Sequence, residues 1–252
     1  MIKFFRHIRQ SLLSEGKTAR YFKYAFGEIL LVVIGILIAL QINTWNEEKN
    51  QSKKELKLLQ NLRRDINETV SVMKRQDSAF ARYEANTEKG LALFYSAQTV
   101  KDIDSVMRLC YTLWNDLFIN RNTYDEMVNS GSMYNLNNEG LQKEITSYYV
   151  FVDAHEHYIE SVNATQNQLR NLSENLHPLE MLLSELRNSN MNVGLKHIDT
   201  TWITNKKSKT YMALHHYLNQ SQLSNNIYRR DVFQRIITRS EQLGKAIDDE
   251  ID

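Results

Sequence analysis

An apolar stretch near the N-terminus constrains this chain more than any other feature of its sequence. Every residue in 29–40 is apolar or glycine, and Tyr24 and Trp45 flank the stretch. The hydrocarbon core of a bilayer takes roughly 20 helical residues at 1.5 Å rise each. Aromatic side chains such as these two favour its interfaces. We therefore predict one transmembrane anchor over residues 18–45, with a cleaved signal peptide or a buried helix as the alternatives.

One face of this predicted helix combines an acidic residue with two small ones. At 100° per residue, a single stripe contains Glu28, Val32, Gly35, Ala39 and Ile42. The small pair Gly35 and Ala39, four residues apart, lets two membrane helices approach closely. We predict that this association face contacts another copy of the chain or another membrane protein. The alternative is that Glu28 only reaches into the lipid headgroups.

The segment before the anchor is basic and amphipathic. Residues 1–14 are predicted to form a helix lying in the membrane surface, with Ile2, Phe5, Ile8 and Leu12 on one face and Lys3, Arg6 and Arg9 around the other. Lysine and arginine flank the anchor equally, with six in residues 1–27 and six in residues 46–65. The positive-inside rule is therefore tied, and only the basic helix favours a cytoplasmic N-terminus.

The composition of residues 46–252 favours long helices. The whole chain contains one proline and eight glycines. Because proline breaks helices and turns need both residue types, an all-β fold is disfavoured. Beyond residue 45 the chain carries 25 basic and 28 acidic residues. A nucleic-acid-binding surface needs a basic excess to neutralise phosphates, so that class of partner is set aside.

Apolar residues beyond the anchor recur every three or four positions, the spacing of amphipathic helices. The first seam runs from Leu59 to Phe94. Further helices are predicted over Asp102–Asn120, Lys206–Leu218 and Ser224–Asp248. Another helix is predicted to begin at a cap, Asn138, and its apolar seam contains Leu141, Ile145, Tyr148, Val152, His155, Ile159, Val162 and Gln166. Stripes this broad must pack together. We predict an all-α fold, in which the anchor precedes an elongated antiparallel helical bundle.

Turn signals separate the second and third of these helices. Thr123 is predicted to be a helix N-cap, since Glu126 follows at the capping-box spacing. Gly131 suits the left-handed residue that closes a helix. Farther along, Pro178 is expected to disturb the third helix before a short apolar piece.

A few polar residues fall where they could form a site. His155 lies in an apolar seam and could meet His215 across the bundle, forming a buried polar layer with Gln166. Such a layer would be a ligand-binding or pH-sensitive site, or would simply fix helix register. Asp153 and His157 share a helix face but lack the further ligands that a metal needs. We expect no bound metal and no cofactor.

Signals for catalysis are weak. The single cysteine, Cys110, excludes an internal disulfide and a CxxC site. A buried thiol is the expected role for it, and an active-site nucleophile is the alternative. The GxSxG, P-loop, GxGxxG and HExxH motifs are absent from the sequence. We expect no catalytic residues and a protein that is not an enzyme.

Two segments resemble a known family. "GEILLVVIGILIALQINTWNE", residues 27–47, is similar to the N-terminal signature of an uncharacterised membrane-protein family of Bacteroidota, the domain of unknown function 6090. "NTYDEMVNSGSMYNL", residues 122–136, resembles that family's Thr-Tyr-x-x-Leu-x-x-Ser-Gly step, with Met127 in place of leucine. The resemblance implies a single-pass inner-membrane anchor with a periplasmic domain, and it brings no established activity.

Two functions are compatible with these features. One is a membrane-anchored interaction protein, either a homo-oligomer or an accessory component of an inner-membrane assembly. The other is an extracytoplasmic sensory or ligand-binding helical domain that acts through a separate partner.

Overall fold

The structure, a computed structural model, describes residues 18–110, 116–171 and 199–251. All regular secondary structure in these ranges is helical, which confirms the all-α prediction. The predicted interfacial helix over residues 1–14 and the apolar piece after Pro178 lie outside the described residues.

Six α-helices are described, together with shorter helical turns. They are α1 (Thr18–Ser96), α2 (Val100–Leu109), α3 (Asn122–Asn129), α4 (Glu139–Asn171), α5 (Lys209–Asn226) and α6 (Gln234–Ile251). Two 3₁₀ turns cover Ser132–Asn135 and Thr201–Ile203, and a π-helix, Ile227–Phe233, joins α5 to α6. The contacts divide the chain into one unit that ends at Lys57 and a second from Leu58 to Asp252, called the body below.

Within the body, α1 packs antiparallel to the C-terminal helices. Three pairs of partners show this, because their order along α1 is the reverse of their order along α5 and α6: Arg63 with Asp248 at 2.7 Å, Lys74 with Glu241 at 2.7 Å, and Tyr95 with His215 at 2.8 Å. The long run of α1 therefore has a partner over most of its length in the body.

The C-terminal helices also run antiparallel to α4. Tyr148 on α4 shares a 2.8 Å hydrogen bond with Ser240 on α6, whereas Gln166, farther along α4, donates to Ser224 on α5. It follows that α1 and α4 are parallel to each other. The antiparallel bundle expected from the sequence is present, with the C-terminal helices lying against both.

The predicted seams form the core. The α1 positions Leu59, Leu62, Ile66, Met73, Phe80 and Phe94 are all buried, as are Leu141, Ile145, Tyr148, Val152 and Ile159 on α4. They contribute to three hydrophobic clusters spaced along the body. Burying one such side chain contributes about 1.5–3 kcal/mol, so the seams supply most of the driving force for packing.

The second predicted helix is shorter than expected. It ends at Leu109 rather than Asn120, and residues 116–120 have no regular secondary structure. Cys110 contacts Thr87, whereas Asn120 contacts Glu68, 19 positions earlier on α1. That separation is about 28 Å along a helix, and ten residues of continuous helix would rise only about 15 Å.

The close packing of α2 on α1 depends on a glycine. A Cβ atom added at Gly90 would collide with the sulfur of Cys110 and lie 3.2 Å from Cβ of Leu109. At its other end α2 begins with a capping box that the sequence analysis missed. Thr99 Oγ1 accepts from the backbone N–H of Asp102, and the Asp102 carboxylate accepts from the N–H of Thr99.

The N-terminus of α3 is capped from another helix. The predicted Thr123 cap is wrong, because Thr123 is the second residue of α3 and its N–H donates to Asp65 Oδ2 on α1 at 3.0 Å. A buried carboxylate at this position satisfies an N–H group that the helix leaves unpaired and favours the helix dipole. Two other predictions are confirmed, since Gly131 has φ 74° and Asn138 Oδ1 accepts from the N–H of Leu141.

The two predicted C-terminal helices are joined. The expected break between residues 218 and 224 is wrong, because helical backbone continues from Lys209 through the π-helix to Ile251. No glycine or proline lies between Lys209 and Leu243 to end it. Within the stretch between the two predicted helices Ser221 is fully buried, as described below.

Replacing the cross-helix cap should destabilise the body. In Asp65→Ala the buried N–H of Thr123 loses its acceptor, and we expect the free energy of unfolding to fall by about 1–3 kcal/mol. Glu126→Ala is the matched control, since Glu126 is exposed and has no role in this cap. Thermal unfolding of the full chain in detergent measures both variants. Equal losses, or a larger loss for Glu126→Ala, would contradict the cap assigned here.

The pair formed by Arg63 and Asp248 should make stability depend on pH. The hydrogen bond from Arg63 holds the pKa of Asp248 below its ordinary value of 3.8. A carboxylate whose pKa is lower in the folded state than in the unfolded state stabilises the fold at pH values above its unfolded-state pKa. This stabilisation is lost as the pH falls through the folded-state pKa. Wild type should therefore be slightly more stable than Asp248→Asn at pH 7, and this advantage should shrink as the pH falls below 3.8. Melting temperatures measured from pH 7 down through the acidic range test this, and an advantage that does not shrink below pH 3.8 would contradict it.

Candidate functional site

The predicted association face lies on α1 in the first unit. Every residue from position 29 to position 50 is exposed within the described chain. At Gly35 an added Cβ atom would have no atom within 4 Å, so this small-residue position is open. Glu28 at the start of the stripe is half-buried and takes part in a contact. The described residues thus leave Val32, Gly35, Ala39 and Ile42 exposed.

This apolar segment meets the requirements for crossing a membrane. Among the described helices, α1 is the one with a window long and apolar enough to do so, and none of that window is buried by the rest of the chain. At its end Lys49 lies with Nζ 5.3 Å from the ring centroid of Trp45. A cation above an indole ring at this distance forms a favourable cation–π contact.

The structure places the three residues of the predicted polar layer in three separate settings. His155 Nδ1 bonds to the carbonyl oxygen of Phe151 in its own helix, and His215 Nε2 bonds to Tyr95 on α1. Gln166 lies 11 positions beyond His155 on α4, about 16 Å along the axis. His155 therefore does not share a layer with Gln166, because helix geometry separates them, and His215 bonds to Tyr95 instead.

A buried polar layer does exist around Gln166, with other members. Gln166 Nε2 donates to Ser224 Oγ and, at 3.1 Å, to the carbonyl of Gln220. Tyr228 donates its hydroxyl to Asn163 Oδ1 at 2.6 Å. These polar side chains join α4 to the C-terminal helices between the hydrophobic clusters.

The layer extends from α5 to α1. Asn225 is fully buried, and its Nδ2 lies 3.4 Å from Thr87 Oγ1 on α1. Thr87 in turn donates its hydroxyl to the carbonyl of Tyr83. The sequence signal for this layer is the run of Ser, Gln and Asn in residues 219–226, of which residues 219–223 were predicted to lie between two helices.

The π-helix beside this layer holds an ionic clamp. Arg229 bonds through Nη1 to Glu84 and through Nε, at 3.2 Å, to Asp77, both on α1. Burial lowers the pKa of Arg229, but the hydrogen bonds with Glu84 and Asp77 outweigh burial and raise it above the ordinary value. The guanidinium therefore stays charged. π-Helical turns are frequent at functional sites, because the extra residue redirects side chains.

A second cluster surrounds the segment 120–136. Arg121 bonds to Asp153 on α4, and its guanidinium carbon lies 5.5 Å from the ring centroid of Tyr149. Tyr124 stacks on Tyr149 with ring centroids 3.9 Å apart. The hydrogen bond with Asp153 raises the pKa of Arg121. These contacts hold α3 against α4, and they account for Asp153, which the sequence analysis considered as a metal ligand.

The other candidate groups have structural roles. His157 lies 3.3 Å from Glu160 on the surface, and no cluster of three or more His, Cys, Asp or Glu suited to a metal occurs among the described residues. Cys110 is buried, and burial raises the pKa of its thiol to about 12. A thiol of that pKa is almost wholly protonated at neutral pH, so it is a poor nucleophile.

Comparison with known proteins gives one match. A model described as a family of unknown function, DUF6090, matches residues 28–173, which is more than half of the chain. The match covers Glu28, Asp65 and the segment 120–136, and it ends before the helices that carry Ser224 and Arg229. No curated protein and no solved structure matches the chain significantly.

Two Tyr→Phe substitutions compare the stability effect of a hydroxyl that makes a hydrogen bond with that of an unpaired hydroxyl. Tyr228→Phe removes the donor to Asn163, and we expect unfolding free energy to fall by about 1–2 kcal/mol. Tyr149→Phe is the control, because Tyr149 is equally buried and its hydroxyl has no hydrogen-bond partner in the part of the chain that the structure describes. Removing the Tyr149 hydroxyl should leave the free energy of unfolding unchanged or raise it. Denaturant or thermal unfolding measures the difference, and a smaller effect for Tyr228→Phe than for Tyr149→Phe would contradict the polar layer.

Proposed function

The chain belongs to the DUF6090 family of unknown function, and from that premise we propose that it is a membrane-anchored helical interaction protein. In this proposal α1 crosses the bacterial inner membrane once, with the N-terminus in the cytoplasm and the body in the periplasm. The association face contacts a second copy of the chain or another protein of an inner-membrane assembly.

The observation that carries the proposal is the contrast between the two units. The apolar side chains of residues 29–42 are exposed all round the helix, whereas the body buries its own seams in three clusters. Exposing so much apolar surface to water is unfavourable, and lipid removes that cost. The body needs no such cover, so the anchor is the part of the chain suited to lipid and to a helical partner.

Small residues explain why the partner should contact this face. Lipid tails are as apolar as leucine, so helices associate in membranes through close packing rather than through the hydrophobic effect. Gly35 and Ala39 give a flat surface for that packing, and Glu28 lies on the same stripe near one end. A partner would also shield this carboxylate from lipid, which makes the contact more favourable.

Substitution at Gly35 tests the association face. Gly35→Leu should weaken association at least tenfold, because the added side chain separates the helices. Gly27→Leu is the matched control, since Gly27 lies off the stripe and its added Cβ also meets open space. The measurements are the mass of the detergent-solubilised particle and the proteins that co-purify. If Gly35→Leu, alone and combined with Glu28→Leu, changes neither, the interaction proposal fails.

Protease treatment tests the location separately. Protease added to spheroplasts should digest the body while the inner membrane stays intact. A cytoplasmic marker protein is the control for membrane integrity. Complete protection of the body would contradict the periplasmic placement and leave the association face to be judged by the experiment above.

A second candidate function is a sensory or ligand-binding domain acting through a separate partner. The polar layer beside the π-helix favours it, because buried polar groups at an irregular turn are frequent where ligands bind. A gain in thermal stability of the full chain with a small molecule or metal ion would support this function. We propose a non-enzymatic role in either case, since the candidate nucleophile Cys110 is buried with its thiol pKa raised, and His155 bonds within its own helix.

A further inference from the structure

Two polar side chains near the C-terminal end of α5 are fully buried with a polar atom left unpaired. Ser221 and Asn225 are both 0% exposed, and neither Ser221 Oγ nor Asn225 Oδ1 has a hydrogen-bond partner among the described residues. A buried polar atom without a partner has lost its hydrogen bonds to water and gained nothing in exchange. Native proteins contain few such atoms, and each requires a physical explanation.

The spacing of Ser221 and Asn225 along α5 supplies such an explanation. They are four positions apart on α5 and therefore lie on one face, with Cβ atoms about 5–6 Å apart. Two hydrogen bonds of about 2.8 Å, made through a single water molecule, span such a gap. Both side chains also lie beside other polar groups. Gln166 donates to the carbonyl of Gln220, the residue before Ser221, and Asn225 Nδ2 lies 3.4 Å from Thr87 Oγ1.

We propose that a buried water molecule bridges Ser221 Oγ and Asn225 Oδ1 and completes the polar layer between α5 and α1. The water donates to Asn225 Oδ1, which can only accept, and exchanges a hydrogen bond with the Ser221 hydroxyl. Two polar partners are the minimum that buried waters usually have. This water lies one turn before Ile227, where the π-helix begins.

The proposal is independent of the anchor and of any partner. It explains why the core contains Ser221 and Asn225 at positions where an apolar residue would otherwise be expected. It also adds Ser221 to the part of the polar layer in which Asn225 on α5 meets Thr87 on α1.

The test compares two serine-to-alanine substitutions in the full chain in detergent. Ser161→Ala, at an exposed position of α4, measures the gain in helix propensity alone. Ser221→Ala makes the same change where the water would lose a partner. We expect the melting temperature of Ser221→Ala to be about 2–6 °C below that of Ser161→Ala. An equal or higher melting temperature for Ser221→Ala would overturn the proposal, since removing a truly unpaired hydroxyl stabilises a protein.

A double substitution gives a second measurement. Asn225→Leu keeps the side-chain size and removes the other partner of the water. If one water joins the two residues, Asn225→Leu should cost less in the Ser221→Ala background than in wild type. Independent, additive losses would count against a shared water.

A crystal structure of the full chain is decisive if either variant fails to fold. Density for a water about 2.8 Å from both Ser221 Oγ and Asn225 Oδ1 is expected. Clear density for both side chains with none between them would overturn the proposal.

Discussion

The buried seam of α1 is the constraint on which the rest of the body depends. Each of the three hydrophobic clusters contains α1 residues, with Leu59, Leu62 and Ile66 in one, Met73 and Phe80 in the next, and Phe94 in the last. Amphipathic helices gain little stability alone and need partners to bury their apolar faces. The other long helices are therefore aligned along α1, and shorter elements such as α3 are attached to it by side chains such as Asp65.

The polar layer limits which alignments of the bundle are allowed. A purely apolar seam tolerates sliding by one heptad, whereas Gln166, Tyr228 and Arg229 each need one partner at one height. Misalignment would leave buried polar groups unpaired, at a cost comparable to a large part of a domain's stability. The π-helix lies in this region, and there the winding of the C-terminal helix changes while Arg229 reaches both Asp77 and Glu84.

The anchor and the body meet opposite physical demands. Residues 29–42 expose apolar side chains on every side and contain few polar groups, as lipid requires. The body instead buries its apolar seams and carries charged residues on its surface, as water requires. This contrast, together with the open Gly35 position, is why we place the proposed contact with a partner in the anchor.

Elements with a local signal are predictable from the amino-acid pattern alone. The apolar stretch, the seams of α1 and α4, the Asn138 cap and the left-handed Gly131 all follow from periodicity or backbone preference, which neighbouring residues set. The sequence also indicated that Gln166 is a buried polar residue, and the structure shows His155 and His215 bonded to other groups, Phe151 and Tyr95. His155 and His215 fall in apolar seams. A seam indicates on which face of a helix a residue lies, but not its position along the axis of the bundle.

Features that join distant residues depend on how the helices pack, and no local pattern specifies them. Asp65 caps a helix that begins 57 positions later, and Ser224 and Asn225 meet partners on two other helices. Such pairings depend on how far each helix slides along its neighbour, and this is set by the packing of all three clusters together. The position of the π-helix also depends on packing. A π-helical turn accommodates one extra residue, and the buried contacts on both sides of it determine where that turn lies.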